Sequence, residues 1–392
     1  MKRTYIIKTM KKILALTLLV SVYFGNAQEQ NRSITTAVPF LNIAADARAA
    51  GMGDMGVATS ADAYSLQWNA SKFAFADQKM GFGISYTPYL ENIVTDVALL
   101  NASFYNKIDD RSAFAFGLRY FGLGEVELRQ TIDEPARIAK PNEFVLEGAY
   151  ALKLSNTFSM GVGGRFITSN LKFPSDDSSE DTSAATAFAV DISGFYRSPE
   201  IAYEKFDGRW RAGFNISNLG SKISYDNNGQ QNFLPGNLKF GGGFDFILDQ
   251  DNTLSLNTEF NKLLVPTPQD FNEDGQIDSE DNERYQQISF LEGAFDSFTD
   301  APDGFSEEIK EVTWALGAEY TYQDAFMLRT GYFNENELKG ARKFFSLGAG
   351  FKFKATQVDL SYLFSTSKIK NPLENTLRFS LTFNLGEELL ND

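Results

Sequence analysis

Residues 113–121 read Ala113-Phe114-Ala115-Phe116-Gly117-Leu118-Arg119-Tyr120-Phe121. In an extended chain successive side chains point to opposite faces, so Phe114, Phe116, Leu118 and Tyr120 share one face while Ala113, Ala115, Gly117 and Arg119 share the other. One face is apolar and the other is small or charged. The same period of two recurs along the chain. Phe158, Met160, Val162 and Phe166 oppose Ser159, Gly161, Gly163 and Arg165, and Leu254, Leu256 and Phe260 oppose Ser255, Asn257 and Glu259. Val358, Leu360, Tyr362 and Phe364 oppose Gln357, Asp359 and Ser361, and Leu377, Phe379, Leu381 and Phe383 oppose Arg378, Ser380 and Thr382.

A soluble sandwich also alternates, turning its apolar face toward a shared core. Strand length separates the two cases. Fourteen candidate strands fall near residues 78–87, 97–106, 112–121, 143–153, 157–169, 185–197, 209–218, 237–248, 253–264, 312–321, 326–333, 344–354, 357–365 and 375–386. A strand of about ten residues tilted near 45° spans the roughly 25 Å apolar band of an outer-membrane barrel, whereas globular strands usually run about five or six. Most of these run 8 to 13 residues. Connections point the same way, because alternate ones total 29 residues and the interleaved set totals 129, as expected for short periplasmic turns and long extracellular loops. The expectation is an all-β fold: a 14-stranded antiparallel transmembrane β-barrel over residues 78–392. An even strand count closes the sheet without a free edge and places both termini on the periplasmic side.

Composition narrows the chemistry. The 392 residues include no cysteine and no histidine, so thiolate nucleophiles, imidazole bases and nitrogen or sulfur metal ligands are absent. No catalytic constellation stands out, and an enzyme is not expected. A net charge of −15 over most of a surface repels polyanions, so nucleic acid is not expected as a partner. Residues 1–27 read as a cleaved secretory signal: Lys2, Arg3, Lys8, Lys11 and Lys12 precede an apolar run from Ile13 to Phe24, then Gly25-Asn26-Ala27. Twelve apolar residues are too short for a helical span of about 20. Without the signal the net charge becomes −20.

Residues 28–77 precede the first strand and contain Gly51-Met52-Gly53-Asp54-Met55-Gly56, then Asp62-Ala63 and Trp68-Asn69-Ala70. The glycines spell G-x-G-x-x-G, but no buried parallel strand precedes them and no βαβ unit follows, so a dinucleotide site is not expected. A ring of fourteen strands encloses a lumen, and a Gly- and Ala-rich segment suits a plug inside it. Gly51, Gly53, Gly56, Asp62, Trp68 and Asn69 are the plug candidates. Arg119, Glu147, Arg165, Asp191, Glu259 and Asp359 fall on lumen faces, where they could line a polar channel.

The connection 265–311 carries 14 acidic and two basic residues. Within it, residues 270–281 follow an EF-hand spacing: side-chain oxygens from Asp270, Asn272, Asp274 and Asp278, a turn at Gly275, a backbone carbonyl at Gln276 and a terminal acid at Asp281. A hard cation needs six to eight oxygens around one point, so calcium is the expected cofactor of this loop. Asp281 is one methylene shorter than the usual Glu and resembles dockerin-type loops. Phe290, Leu291, Phe295, Phe298 and Phe305 follow, more apolar side chains than a solvated loop needs. They either pack on the barrel rim or dock a partner.

The Gly-Met-Gly segment followed by Asp62-Ala63 and Asn69-Ala70 ahead of period-two strands resembles the start of FadL-type outer-membrane proteins and, more closely, the PorV family of the type IX secretion system. The resemblance covers the mature chain, including Gly304-Phe305-Ser306-Glu307-Glu308-Ile309-Lys310-Glu311 before the tenth strand. One departure is that no Pro stands between Asn69 and Ala70. What the resemblance implies is an outer-membrane component that engages a SprA-type translocon, recognises the C-terminal signal domains of secreted proteins and delivers them to a surface attachment complex. Its loops would face the cell exterior and its wall the outer-membrane lipids. The competing expectation is passive uptake of hydrophobic small molecules, as in fatty-acid transporters of the same superfamily. An apolar passage beside the plug would favour uptake, and a filled lumen would favour secretion.

Overall fold

The computed structural model describes residues 33–91, 93–129, 136–171, 184–225, 231–367 and 371–386, so the expected signal segment lies outside the described residues. Fourteen long strands form its wall: β1 (Met80–Pro88), β2 (Val97–Lys107), β3 (Ser112–Leu123), β4 (Asn142–Lys153), β5 (Phe158–Asn170), β6 (Ala185–Arg197), β7 (Asp207–Gly220), β8 (Asn237–Ile247), β9 (Asn252–Leu263), β10 (Thr313–Tyr322), β11 (Phe326–Asn334), β12 (Lys343–Phe353), β13 (Thr356–Ser365) and β14 (Leu377–Leu385). Each pairs antiparallel with the next. The ring closes where β14 pairs with β1, from Met80 opposite Leu385 to Tyr86 opposite Phe379. No ladder edge is left open in the wall, which a strand crossing lipid requires.

The alternation in the sequence becomes the two faces of this wall. Along β3, Phe116, Leu118 and Tyr120 point outward and are exposed, while Ala113, Ala115 and Arg119 point into the lumen and are buried. Leu316 on β10, Leu328 on β11, Leu347 on β12 and Leu377 on β14 continue the apolar outer band. Among the described residues no helix is long and apolar enough to cross a membrane. One ladder is irregular: between β6 and β7 the register shifts between Ile216 and Leu219, and Asn218 adopts a φ of 59°. The bulge is filled from inside, where Asp191 Oδ1 accepts the Asn218 N–H at 2.9 Å.

Connections segregate as expected. Short turns such as 354–355 and 323–325 lie at one end, and the long connections that follow β1, β3, β5, β7, β9 and β11 leave the wall at the other. The longest is not irregular. It folds into helices Ser279–Gln287, Phe290–Asp296 and Phe305–Glu308, the last continuing as a 3-10 turn over Ile309–Glu311.

The segment before β1 crosses the whole lumen. Val38, Phe40 and Leu41, on and beside the 3-10 turn Pro39–Asn42, pack with Val97, Phe121, Val145 and Ile167 at the long-loop ends of β2 to β5. The Ala37 N–H donates to Phe233 O at 3.0 Å, and Ser33 and Ile34 share a cleft with Leu263 and Lys339. From there the chain passes a helical turn at Ala47–Ala50 and another at Ser65–Trp68. It then enters a 3-10 stretch, Ala70–Phe75, whose Phe73 and Ala74 pack with Tyr105, Ala113 and Ala151 at the short-turn end. The even count does bring Met80 and Leu385 to one end, but residues 33–42 lie at the opposite end because the plug is threaded lengthwise. Phe40 is fully buried and its ring stacks on Phe121 at 5.9 Å, a contact whose truncation to Ala costs about 3–5 kcal/mol in a packed core.

Candidate functional site

The plug is fitted to the wall backbone to backbone. Gly53 takes a φ of 83°, which a side chain rarely adopts, and its N–H donates to Ser346 Oγ at 2.9 Å. Gly51 lies against Gly348 of β12, where an added Cβ would meet the Gly348 Cα at 3.0 Å. Gly56 lies flat against the Trp68 indole, and its N–H and that of Val57 both donate to Glu259 Oε2, at 2.8 and 2.9 Å. On the wall, Gly331 of β11 leaves room for the Met52–Gly53 peptide itself.

Charges finish the fit. Asp62 turns the chain by accepting from the Tyr64 N–H at 2.9 Å, and its other oxygen pairs with Arg48 Nη1 at 2.7 Å. Arg48 also meets Glu319 on β10, which accepts from Arg329 Nε at 2.5 Å, and Arg329 Nη1 reaches Asp359 at 2.6 Å. Trp68 donates from Nε1 to Asp46 Oδ2 at 2.8 Å, and the Lys239 ammonium sits 4.4 Å from its ring. Asn69 Nδ2 bridges plug and wall, donating to Val57 O at 2.9 Å and Gly194 O at 3.0 Å. Lys72 is fully buried, with Nζ donating to Gly56 O at 2.7 Å and Thr59 Oγ1 at 3.0 Å. All six plug candidates therefore meet in one packed unit.

The lumen charges do not line an open channel. Glu147 stands between Arg119 at 3.2 Å and Arg165 at 3.3 Å, and Arg165 reaches Asp191 at 2.5 Å. Arg119 also donates to Leu41 O of the plug at 3.0 Å. Each charge has a partner because an isolated one would carry a large desolvation cost in this enclosed space. Two cavities beside the plug carry charged side chains: one at the short-turn end is lined by Arg48, Asp62, Glu319 and Arg329 among others, and one at the long-loop end by Asp54, Lys239, Glu335 and Arg342 together with Ile34, Leu263 and Phe333. The apolar groove formed by Ile84, Leu100, Leu118, Phe379 and Leu381 lies on the outer face.

In the long acidic loop the expected cation ligands form a tight turn around φ-positive Glu273 and Gly275. Asp270 accepts from the N–H groups of Asp274 and Gly275 at 3.1 and 2.6 Å, Asn272 accepts from Asp274 at 3.0 Å, and Asp274 accepts from Gln276 at 2.9 Å. Asp278 caps the following helix. Asp281 completes a capping box, its two oxygens taken by the N–H groups of Phe271 at 2.7 Å, Asn272 at 3.3 Å and Asp278 at 3.1 Å. The acids of this turn are aimed at backbone donors. Among the described residues the three carboxylates that do gather lie elsewhere: Asp300, Glu308 and Glu311. Sequence reasoning missed them, although Lys262, which pairs with Glu308 and Glu311, and Lys339, which pairs with Glu311, occupy the rim end of β9 and the 335–342 loop.

The apolar residues downstream divide by helix face. The helix Phe290–Asp296 starts from a Ser289–Glu292 capping box and buries its small side, Gly293 and Ala294, against Pro266 and Phe233. Its large side chains face away. On this helix Leu291 is 53% exposed and Phe295 76%, whereas Phe290 is half-buried; beyond it Phe298 is 44% exposed and Phe305, on the last helix, 79%. Soluble surfaces rarely leave such rings uncovered together.

A closed fourteen-stranded wall, apolar outside, with a charged lumen filled by its own N-terminal segment defines a β-barrel of the outer-membrane class. The family described as type IX secretion system protein PorV matches residues 26–270, and the chain belongs to that family. It is thus an outer-membrane component of type IX secretion. Similar solved structures include a Pseudomonas aeruginosa FadL homologue (12% identity, 90% of this chain, 99% of that chain, TM-score 0.42) and the Pseudomonas putida toluene transporter TodX (10% identity, 90% and 98%, TM-score 0.47). The Ralstonia pickettii toluene transporter TbuX is similar at 10% identity, with 87% and 97% coverage and a TM-score of 0.45. No curated protein matches the chain.

Proposed function

We propose that this barrel serves type IX secretion as a docking subunit, binding the SprA-type translocon and carrying cargo with C-terminal signal domains to the surface attachment complex. The observation that supports this most is the loop: exposed Phe295 stands on a capped helix, and exposed Phe305 on the last helical turns, which Lys262 and Lys339 hold to the rim. A rigid acidic platform bearing apolar anchors suits a protein partner with apolar sockets among basic residues. The long-loop end is then the cell-surface end. Passive uptake of hydrophobic molecules is the second reading, and the packed plug with charged side chains lining the two cavities beside it favours secretion over it. The test is export. In cells carrying Phe295→Asp with Phe305→Asp, secreted cargo should fall at least tenfold while the barrel stays heat-modifiable in detergent; undiminished export would overturn the proposal.

We also propose calcium as the ligand of residues 270–281. The donor set fits a hard cation, and binding would require the Asp281 carboxylate to exchange backbone N–H groups for the ion. Neutralising part of the loop's 14 acidic charges is what the ion would supply.

A further inference from the structure

We propose that one proton, held at Asp300, controls how firmly the helical loop is seated on the barrel rim. This deepens the docking reading, on which its biological meaning rests, but its test does not depend on export.

The seat is a crowd of acids around two ammonium groups. Lys262 Nζ, on the inward phase of β9, lies 3.0 Å from Glu308 Oε2 and 2.6 Å from Glu311 Oε2. Lys339 Nζ, from the neighbouring rim loop, lies 2.6 Å from Glu307 and 2.9 Å from Glu311 Oε1. These pairs join the wall to the last turns of the acidic loop. Asp300 completes the group, with carboxylate oxygens of Asp300, Glu308 and Glu311 lying within 4.8 Å of one another. Four ionised acids against two lysines leave a local excess of negative charge. A proton removes part of it.

The hydrogen bonds show where that proton fits. Asp300 Oδ2 accepts from the Thr267 N–H at 2.8 Å, and Glu311 Oε1 accepts from Thr267 Oγ1 at 2.6 Å. The second oxygen of Asp300 is buried without a partner. A buried carboxylate oxygen facing two other carboxylates is costly when ionised and comfortable as a hydroxyl. The groups that face Asp300 are Lys262 from the wall, Thr267 from the ascending strand end, Glu308 and Glu311 from the helical turns, and Tyr285 from the helix Ser279–Gln287. Tyr285 donates to Pro266 O at 2.9 Å rather than to the acid, and burial followed by the Asp300 charge pushes its phenol upward, out of the neutral range.

Burial pushes the Asp300 carboxyl from its ordinary 3.8 to about 7; the Thr267 N–H opposes this, while the charges of Glu311 and Glu308 add to it. The sign follows from linkage. A carboxyl raised in the seated state binds its proton there and loses it when the loop lifts off, so its contribution to seating is complete below its ordinary value and is lost as pH rises through about 7. Glu311 works in the opposite direction and in a different window. Burial raises it, but hydrogen bonds from Lys262, Thr267 and Lys339 outweigh burial and hold it below its ordinary 4.5, so its contribution is lost only in stronger acid. Between about pH 6 and about pH 8.5 Asp300 sets the balance.

Because the chain has no cysteine, a single label reports cleanly. Ser306→Cys, at an exposed position of the last loop helix, is spin-labelled in the purified full barrel, with heat-modifiability confirming the fold. Label mobility should rise severalfold across this range with its midpoint near pH 7, and Asp300→Asn, which mimics the protonated acid, should stay immobilised throughout. Glu308→Gln should move the midpoint downward by removing a like charge. A pH-independent spectrum in the parent, or the same transition in Asp300→Asn, would overturn the proposal.

Discussion

Arg48 and Glu319 stand 271 residues apart and meet through paired hydrogen bonds of 3.0 and 2.8 Å, Nε to Oε2 and Nη2 to Oε1. The forked geometry makes this the most directional link between plug and wall. Both side chains are about nine-tenths buried, so removing Arg48 strips Asp62 of its ion pair and leaves Glu319 with Arg329 alone. Arg48→Ala should destabilise the folded barrel by roughly 3–5 kcal/mol, read as a lower midpoint in detergent unfolding. A shift of less than about 0.5 kcal/mol, the size typical of neutral surface changes, would show that the plug is not held this way.

Gly331→Ala tests the backbone fit. A methyl group at this point enters the Met52–Gly53 peptide, which cannot swing aside as a long side chain can. The expected cost is about 1–3 kcal/mol, and the displaced plug should admit ions in planar bilayers where the parent does not. Parent-like silence together with parent-like stability would contradict the packing.

The lengthwise threading of the plug predicts an unusual topology. A cysteine at Ser33 lies at the long-loop end, and one at Gly386 lies beside the start of β1 at the other end. In intact cells a membrane-impermeant maleimide should label Ser33→Cys and spare Gly386→Cys. The reverse pattern would invert the barrel in the membrane.

Calcium is tested by calorimetry on the purified barrel. The parent should give a saturable heat that Asp270→Ala abolishes, since Asp270 accepts from both turn residues Asp274 and Gly275. A parent without any binding heat would remove calcium from the account.

The wall was legible because its rule is local. Alternation at Val358, Leu360, Tyr362 and Phe364 needs no knowledge of the partner strand, and the expected strand 357–365 falls within a residue of Thr356–Ser365. Lumen charges were legible as a phase, since Arg119 and Glu147 fall on inward positions. Their pairing was not, because barrel stagger, rather than sequence distance, decides that Glu147 joins Arg119 to Arg165. The lengthwise run of residues 33–79 was not legible for a related reason: counting strands fixes where Met80 lies but not which way the preceding residues run. Asp281 shows a third limit. The same acid suits a cation or a helix cap, and only the fold reveals it on the N–H groups of Phe271 and Asp278. The loop helices carried a signal that was not read, the Ser289-to-Glu292 spacing of a capping box.

Docking of a protein partner by the rim loop is the central claim. Affinity purification from native membranes in mild detergent tests it directly. The parent barrel should bring down the SprA-type translocon, and the Phe295→Asp, Phe305→Asp barrel, equally abundant and equally heat-modifiable, should not. Recovery of the parent barrel alone, or undiminished translocon with the double variant, would contradict the account.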